Sequence, residues 1–149
     1  MFLGSGLFNL GKAKSADYDI KVGLATDVGA GTSFSMLQTM GDAYKVAQLQ
    51  GESLSPFKSF YLATLGAAKA LSLEDKLGSF EIGKEADFVV LDMQATPLMQ
   101  LRNRSSIPPT LEGLAEQIFV TMILGDDRAI VATYIAGDSF QDASRRTQA

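Results

Sequence analysis

Ile20-Lys21-Val22-Gly23-Leu24-Ala25-Thr26, bounded by Asp19 and by Asp27-Val28-Gly29, is the stretch that decides the fold class. It is too short for a typical buried helix and is flanked by turn formers, so it reads as a buried strand of a parallel sheet. The loop Gly29-Ala30-Gly31-Thr32-Ser33 follows, and Ser33 or Ser35 then caps a periodic stretch. Met36, Leu37, Met40, Ala43, Tyr44 and Ala47 recur there at helical spacing, and Gly51 supplies the stop. Strand, loop and helix make half of a β/α repeat, which places the chain in the α/β class.

Working outward, Ser55-Pro56 is an N-cap with a first-turn proline. Phe57, Phe60, Tyr61 and Thr64 form the expected packing face, Gly66 interrupts the helix, and a short second helix ends near Ser72. From Lys76 to Asp92 the texture changes to strand, turn and strand: 77–80, 82–84, then 86–91, with Ala86, Phe88 and Val90 on one face and Asp87, Val89 and Leu91 on the other. Residues 93–109, carrying Pro97, Pro108, Pro109, Arg102 and Arg104, read as a surface loop. Thr110 caps a third helix, whose apolar face (Leu111, Leu114, Ala115, Ile118, Phe119, Met122) is expected to pack on the sheet. The last strand is 129–135, and the tail from Gln141 has little to bury and is expected to fray.

Composition narrows the chemistry. A chain of 149 residues, 46% hydrophobic and 20% charged, has the makings of one globular domain and can bury about 70% of its unfolded surface. Thirteen basic against seventeen acidic residues leave a net charge of −4, which argues against nucleic acid or an anionic membrane as partner. Without Cys there is no disulfide or thiolate; without His there is no imidazole base and none of the commonest metal ligand. No apolar run approaches the ~20 residues of a bilayer crossing, and the opening MFLGSGLFNLG lacks a basic n-region, so a cytoplasmic location is expected.

Asp27 is the carboxylate whose position matters, because it stands at the carboxyl end of the expected parallel strand, where ligands of β/α barrels bind. An Asp there can hold a cation or accept a proton from water; equally, it can simply begin a Gly-rich turn. Gly29-Ala30-Gly31 lacks the Lys and spacing of a phosphate loop and reads as a strand-to-helix connection. Asp126-Asp127 is open to two readings, a cation site or a solvated turn. The basic pairs Arg102/Arg104 and Arg145/Arg146 are too short to define a partner surface.

Four stretches carry a resemblance: VGLATDVGAGTSFSMLQTM (22–40), SPFKSFYLATLGAAKAL (55–71), DKLGSFEIGKEADFVVLD (75–92) and LGDDRAIVATYIAGDSF (124–140). Together they resemble the C-terminal third of bacterial guanine deaminases of the amidohydrolase superfamily. The pattern Gly78-Ser79, Gly83-Lys84, Ala86-Asp87, Val89-Val90, Asp92 is shared across that superfamily, whereas TDVGAGTS followed by SML is narrower. The resemblance implies a metal-dependent hydrolase (β/α)8 barrel with a small β-sandwich. Residues 1–75 would end the barrel, with 20–26 as its eighth strand; residues 76–140 would be the C-terminal part of the sandwich with one packed helix, and 141–149 a tail.

In the intact family enzyme, zinc is held by a His-x-His pair, two further His and the eighth-strand Asp, and it activates a water that converts guanine to xanthine and ammonia. The resemblance therefore makes Asp27 both the metal ligand and the catalytic proton acceptor. With no His in the sequence, the other ligands are expected upstream of Met1. The chain alone is then expected to be inactive and without zinc, and its partner is either the missing N-terminal barrel segment or a second copy. Two rival readings stand beside this one: a non-catalytic oligomerising module, and a fragment of an amidohydrolase acting on another aminated heterocycle.

Overall fold

Three side-chain oxygens set the helical frame. A computed structural model describes residues 4–103 and 107–140. In it Ser35, Ser55 and Thr110 each accept a hydrogen bond from the backbone N–H three residues on, satisfying one of the orphan donors at a helix start. A single turn, α1 (Leu10–Ala13), precedes them, capped by Asn9. Then come α2 (Met36–Leu49), α3 (Pro56–Ala63) and α4 (Leu65–Ala70), strand β1 (Phe88–Leu91), α5 (Pro97–Arg102), α6 (Leu111–Leu124), and strands β2 (Ile130–Ile135) and β3 (Asp138–Ser139). Arg104, Arg145, Arg146 and the expected frayed tail lie outside the described residues.

Helix α2 follows its expected face: Leu37, Met40 and Ala47 are buried and Tyr44 packs beside them. The break between α3 and α4 falls at Thr64 (φ −125°, ψ −101°), two residues before the Gly66 expected to make it. The Thr64 hydroxyl donates to the Phe60 carbonyl at 2.8 Å, so a side chain competes with the helix ladder there. The buried face of α3 is Ser59 and Leu62, while Phe57 and Tyr61 stay exposed.

The sheet departs furthest from expectation. It is antiparallel in the order β1-β2-β3, with Phe88 opposite Tyr134 and Val90 opposite Ala132. An irregularity between Val90 and Leu91 breaks the simple alternation, leaving Val89 and Val90 exposed and Phe88 and Leu91 half-buried. Phe88 stacks on Tyr134 at 4.4 Å, and Phe80 tilts against Phe88 at 5.6 Å. Segments 77–80 and 82–84 form turns and bends, not strands.

The expected strand at 20–26 is likewise in no ladder. It is held at two points, by Ile20 N–H to the Ala13 carbonyl and by Leu24 N–H to the Leu62 carbonyl, both at 2.8 Å. Strand geometry needs a neighbouring strand to accept and donate along its length, and the described residues place none beside it. The expected loop 93–109 contains helix α5, opened by Thr96 and Pro97.

Helix α6 packs on α2, α3 and α5, not chiefly on the sheet. Its buried residues are Gly113, Val120, Thr121 and Met122, whereas Leu111 and Leu114 are exposed. Apolar residues surround most of this helix, so periodicity alone does not single out a face. Two clusters make the core: Leu37, Met40, Met99, Met122 and Ala129 in one, Ala47, Leu54 and Leu62 in the other. Among the described residues no helix is long and apolar enough to cross a membrane.

Candidate active site

The segment that ends at Asp27 lies against α3 and α4. At Gly23 the backbone comes so near α4 that an added Cβ would stand 2.5 Å from the Ala67 Cα, which is why no side chain is tolerated there. With the Leu24–Leu62 hydrogen bond, this close approach fixes the height at which the segment leaves the helical layer.

Asp27 comes next, and its backbone is left-handed, with φ of 46°. That region is uncommon for a residue with a side chain, although Asp visits it more readily than most. The turn that follows holds it in place. Ala30 N–H donates to the Asp27 carbonyl at 3.1 Å, Gly31 N–H donates to the same oxygen, and Val28 and Gly31 form an isolated bridge. The chain then enters α2 through Ser33, whose hydroxyl accepts from Ser35 N–H at 3.0 Å, and through the Ser35 cap. The glycine-rich loop thus connects the 20–26 segment, which forms no strand here, to helix α2.

The Asp27 side chain is exposed. An exposed carboxylate can ligate a cation or take up a proton. Among the described residues no group of three or more His, Cys, Asp or Glu is gathered to hold a metal ion. Zinc takes three or four protein ligands, so one carboxylate does not fit it unaided.

The other acidic candidate is committed elsewhere. Asp126 pairs with the Arg128 guanidinium at 2.5 Å and also accepts from the Arg128 backbone N–H at 3.0 Å, capping the turn Asp127–Ala129. The guanidinium and that amide hold the Asp126 carboxyl below the usual carboxylate range. Asp126 is therefore a structural turn carboxylate, as the solvated-turn reading expects. A surface hollow of about 420 Å³ between α4 and residues 81–84 is lined by Lys69, Glu74, Glu81 and Lys84. Asp75 lines it too, and its charged groups are largely engaged: Lys84 pairs with Glu81 at 2.8 Å, and Glu74 with Lys21, outside the hollow, at 3.7 Å.

The sequence singles out Asp27 by its position alone and does not show the contact Gly31 makes beside it. The signal available was the Gly-x-Gly spacing at 29–31, one residue beyond Asp27-Val28, which permits a turn tight enough to bring the Gly31 amide back onto the Asp27 carbonyl.

A profile of the amidohydrolase family matches residues 1–139. The chain belongs to the amidohydrolase family. Among curated relatives, this amidohydrolase chain is 56% identical over 137 residues to guanine deaminase of Escherichia coli strain K12, covering 92% of this chain and 30% of the relative. Among solved structures it is similar to E. coli guanine deaminase (55% identity, TM-score 0.83, 93% of this chain and 31% of that one). It is also similar to guanine deaminase from Bradyrhizobium japonicum (39% identity, TM-score 0.85, 93% and 35%). A guanine deaminase from C. acetobutylicum with guanine bound in its active site matches at 28% identity and a TM-score of 0.67, over 92% and 30%. This amidohydrolase chain thus spans about 30% of the length of the E. coli enzyme it matches.

Proposed function

We propose that this amidohydrolase chain is the C-terminal third of a guanine deaminase, which with water converts guanine to xanthine and ammonia. The single observation that carries the reading is the 56% identity to the E. coli enzyme over 92% of the chain. On this reading residues 1–75 close the barrel and 76–140 contribute to the small sandwich. The segment 20–26 becomes a barrel strand once neighbours flank it. Among the described residues the segment has no ladder partner, and it is held at Ile20 and tied to α3 by the Leu24–Leu62 hydrogen bond, which leaves other backbone groups available to flanking strands.

Asp27 is the chain's contribution to catalysis. In the assembled enzyme its carboxylate supplies one oxygen ligand to the zinc that the family's chemistry uses, and serves as the proton acceptor. The remaining ligands come from outside this sequence, which contains no His. Substrate is recognised by those other parts as well, so the chain by itself is inactive.

The test is a hybrid in which residues 4–140 of this chain replace the matching segment of E. coli guanine deaminase. The hybrid is expected to release ammonia from guanine, and Asp27→Asn is expected to abolish that release by removing the anionic oxygen. Parental turnover in the Asn variant would sink the assignment of Asp27. A panel of other aminated heterocycles in the same assay tests the choice of guanine.

A second reading has its own observation. Phe34 and Phe80 are 85% and 80% exposed and Ile82 is fully exposed, large apolar side chains that a partner could cover. Such surface fits a non-catalytic module that pairs with a second copy. Light scattering separates the two: a monodisperse dimer that stays intact at nanomolar concentration favours the module.

A further inference from the structure

Asp27 keeps a backbone conformation that its neighbours must enforce. With φ at 46° it occupies a region where the side chain crowds the following carbonyl, and a residue without restraining contacts would relax out of it. Two amides hold it there, those of Ala30 and Gly31, both donating to the Asp27 carbonyl oxygen. The second of these bonds depends on what Gly31 lacks. A Cβ at position 31 would run into the Thr26 carbonyl oxygen and would lie 2.9 Å from the Asp27 carbonyl oxygen. Both obstacles are backbone atoms, so neither can rotate aside; the turn would have to open and the Gly31 amide would withdraw. Position 31 is not in the left-handed region, so the requirement for glycine there is one of space alone.

We infer that Gly31 is a positioning residue for Asp27: by letting the turn close on the Asp27 carbonyl, it fixes the direction in which the Asp27 carboxylate is presented. The inference rests on the proposed role of Asp27 in deamination and adds a residue on which that role depends. Gly29, two residues earlier, has no atom within 4 Å of an added Cβ, so crowding in this turn is particular to position 31.

Gly31→Ala in the hybrid enzyme is expected to lower kcat about 100-fold, the scale set by an ångström of misplacement at a reacting group. Guanine KM is expected to stay within about threefold of the parent, because a displaced catalytic group costs the transition state and not substrate binding. Gly113→Ala is the companion variant. Gly113 stands in the first turn of α6, and its Cβ would also meet a carbonyl oxygen, that of Pro108 just before the helix, so the variant loses stability of a comparable kind and is expected to keep parental kcat.

A second measurement needs no catalysis. In the 149-residue chain, amide hydrogen exchange at Ala30 and Gly31 is expected to be slowed, and Gly31→Ala is expected to speed exchange at both positions by about tenfold while the α2 amides keep their protection. Unprotected amides in the parent chain, or unchanged exchange in the variant, would overturn the inference. So would parental kcat in Gly31→Ala while Asp27→Asn is dead, an outcome that leaves the deaminase reading intact. Full activity in Asp27→Asn would remove the deaminase role instead, and exchange would still report whether Gly31 holds the Asp27 backbone.

Discussion

The backbone N–H of Leu24 donates to the carbonyl of Leu62 at 2.8 Å, and this one bond ties the segment leading to Asp27 onto helix α3. Leu62 is buried in the cluster with Ala47 and Leu54. Leu62→Ala is expected to cost about 2–5 kcal/mol of stability, the range for removing a buried leucine side chain. Urea unfolding followed by circular dichroism measures it, and a loss below about 0.5 kcal/mol would show that the site refills or that the cluster is not formed.

Thr96 offers a sharper local test. Its hydroxyl oxygen accepts from the Met99 N–H at 3.2 Å in a buried setting, opening α5 above the fully buried Met99. Thr96→Ala is expected to cost about 1 kcal/mol, and Thr96→Ser to restore most of it, since the serine hydroxyl keeps the cap. Thermal melts of the two variants beside the parent check this.

The Asp126–Arg128 pair gives a pH dependence with a definite sign. Hydrogen bonding to the Arg128 guanidinium lowers the folded-state pKa of Asp126, so the pair adds stability above the unfolded carboxyl value, near 4, and loses it as pH falls through the folded value. The stability gap between parent and Asp126→Asn is therefore expected to be widest at neutral pH and to close on acidification below pH 4. Because both side chains are exposed, the gap is small and shrinks with added salt. Denaturant titrations at several pH values, at low and high salt, decide it.

Metal binding supplies the fourth expectation. Native mass spectrometry of the chain with added zinc is expected to show the metal-free mass. A retained zinc would require ligands from more than one copy, and Asp27→Asn would then be expected to release it.

Much of the helical layer was legible because capping is local. Ser35, Ser55 and Thr110 each reach a backbone amide three residues away, and nothing distant is needed to make those bonds. Helix α5 carried the same Thr-Pro signature as the Ser55-Pro56 start of α3, and it was hidden only by the other prolines and arginines around it. The segment 20–26 was legible as an apolar extended run but not as a ladder, because a ladder is a property of two segments and the sequence shows one. The face of α6 was illegible for another reason: Ile118, Phe119, Val120 and Met122 follow one another too closely for spacing to choose among them. At the site, the position of Asp27 could be read, whereas the dependence of its backbone on Gly31 required the actual path of the turn.

Among the described residues, Leu24 and Tyr44 are partly buried side chains that pack against both core clusters. Helix α2 serves both clusters as well, through Leu37 and Met40 in one and Ala47 in the other, so the two cores share a helix besides these two side chains. Loosening the segment that carries Asp27 at Leu24 therefore takes apolar contact from both cores at once.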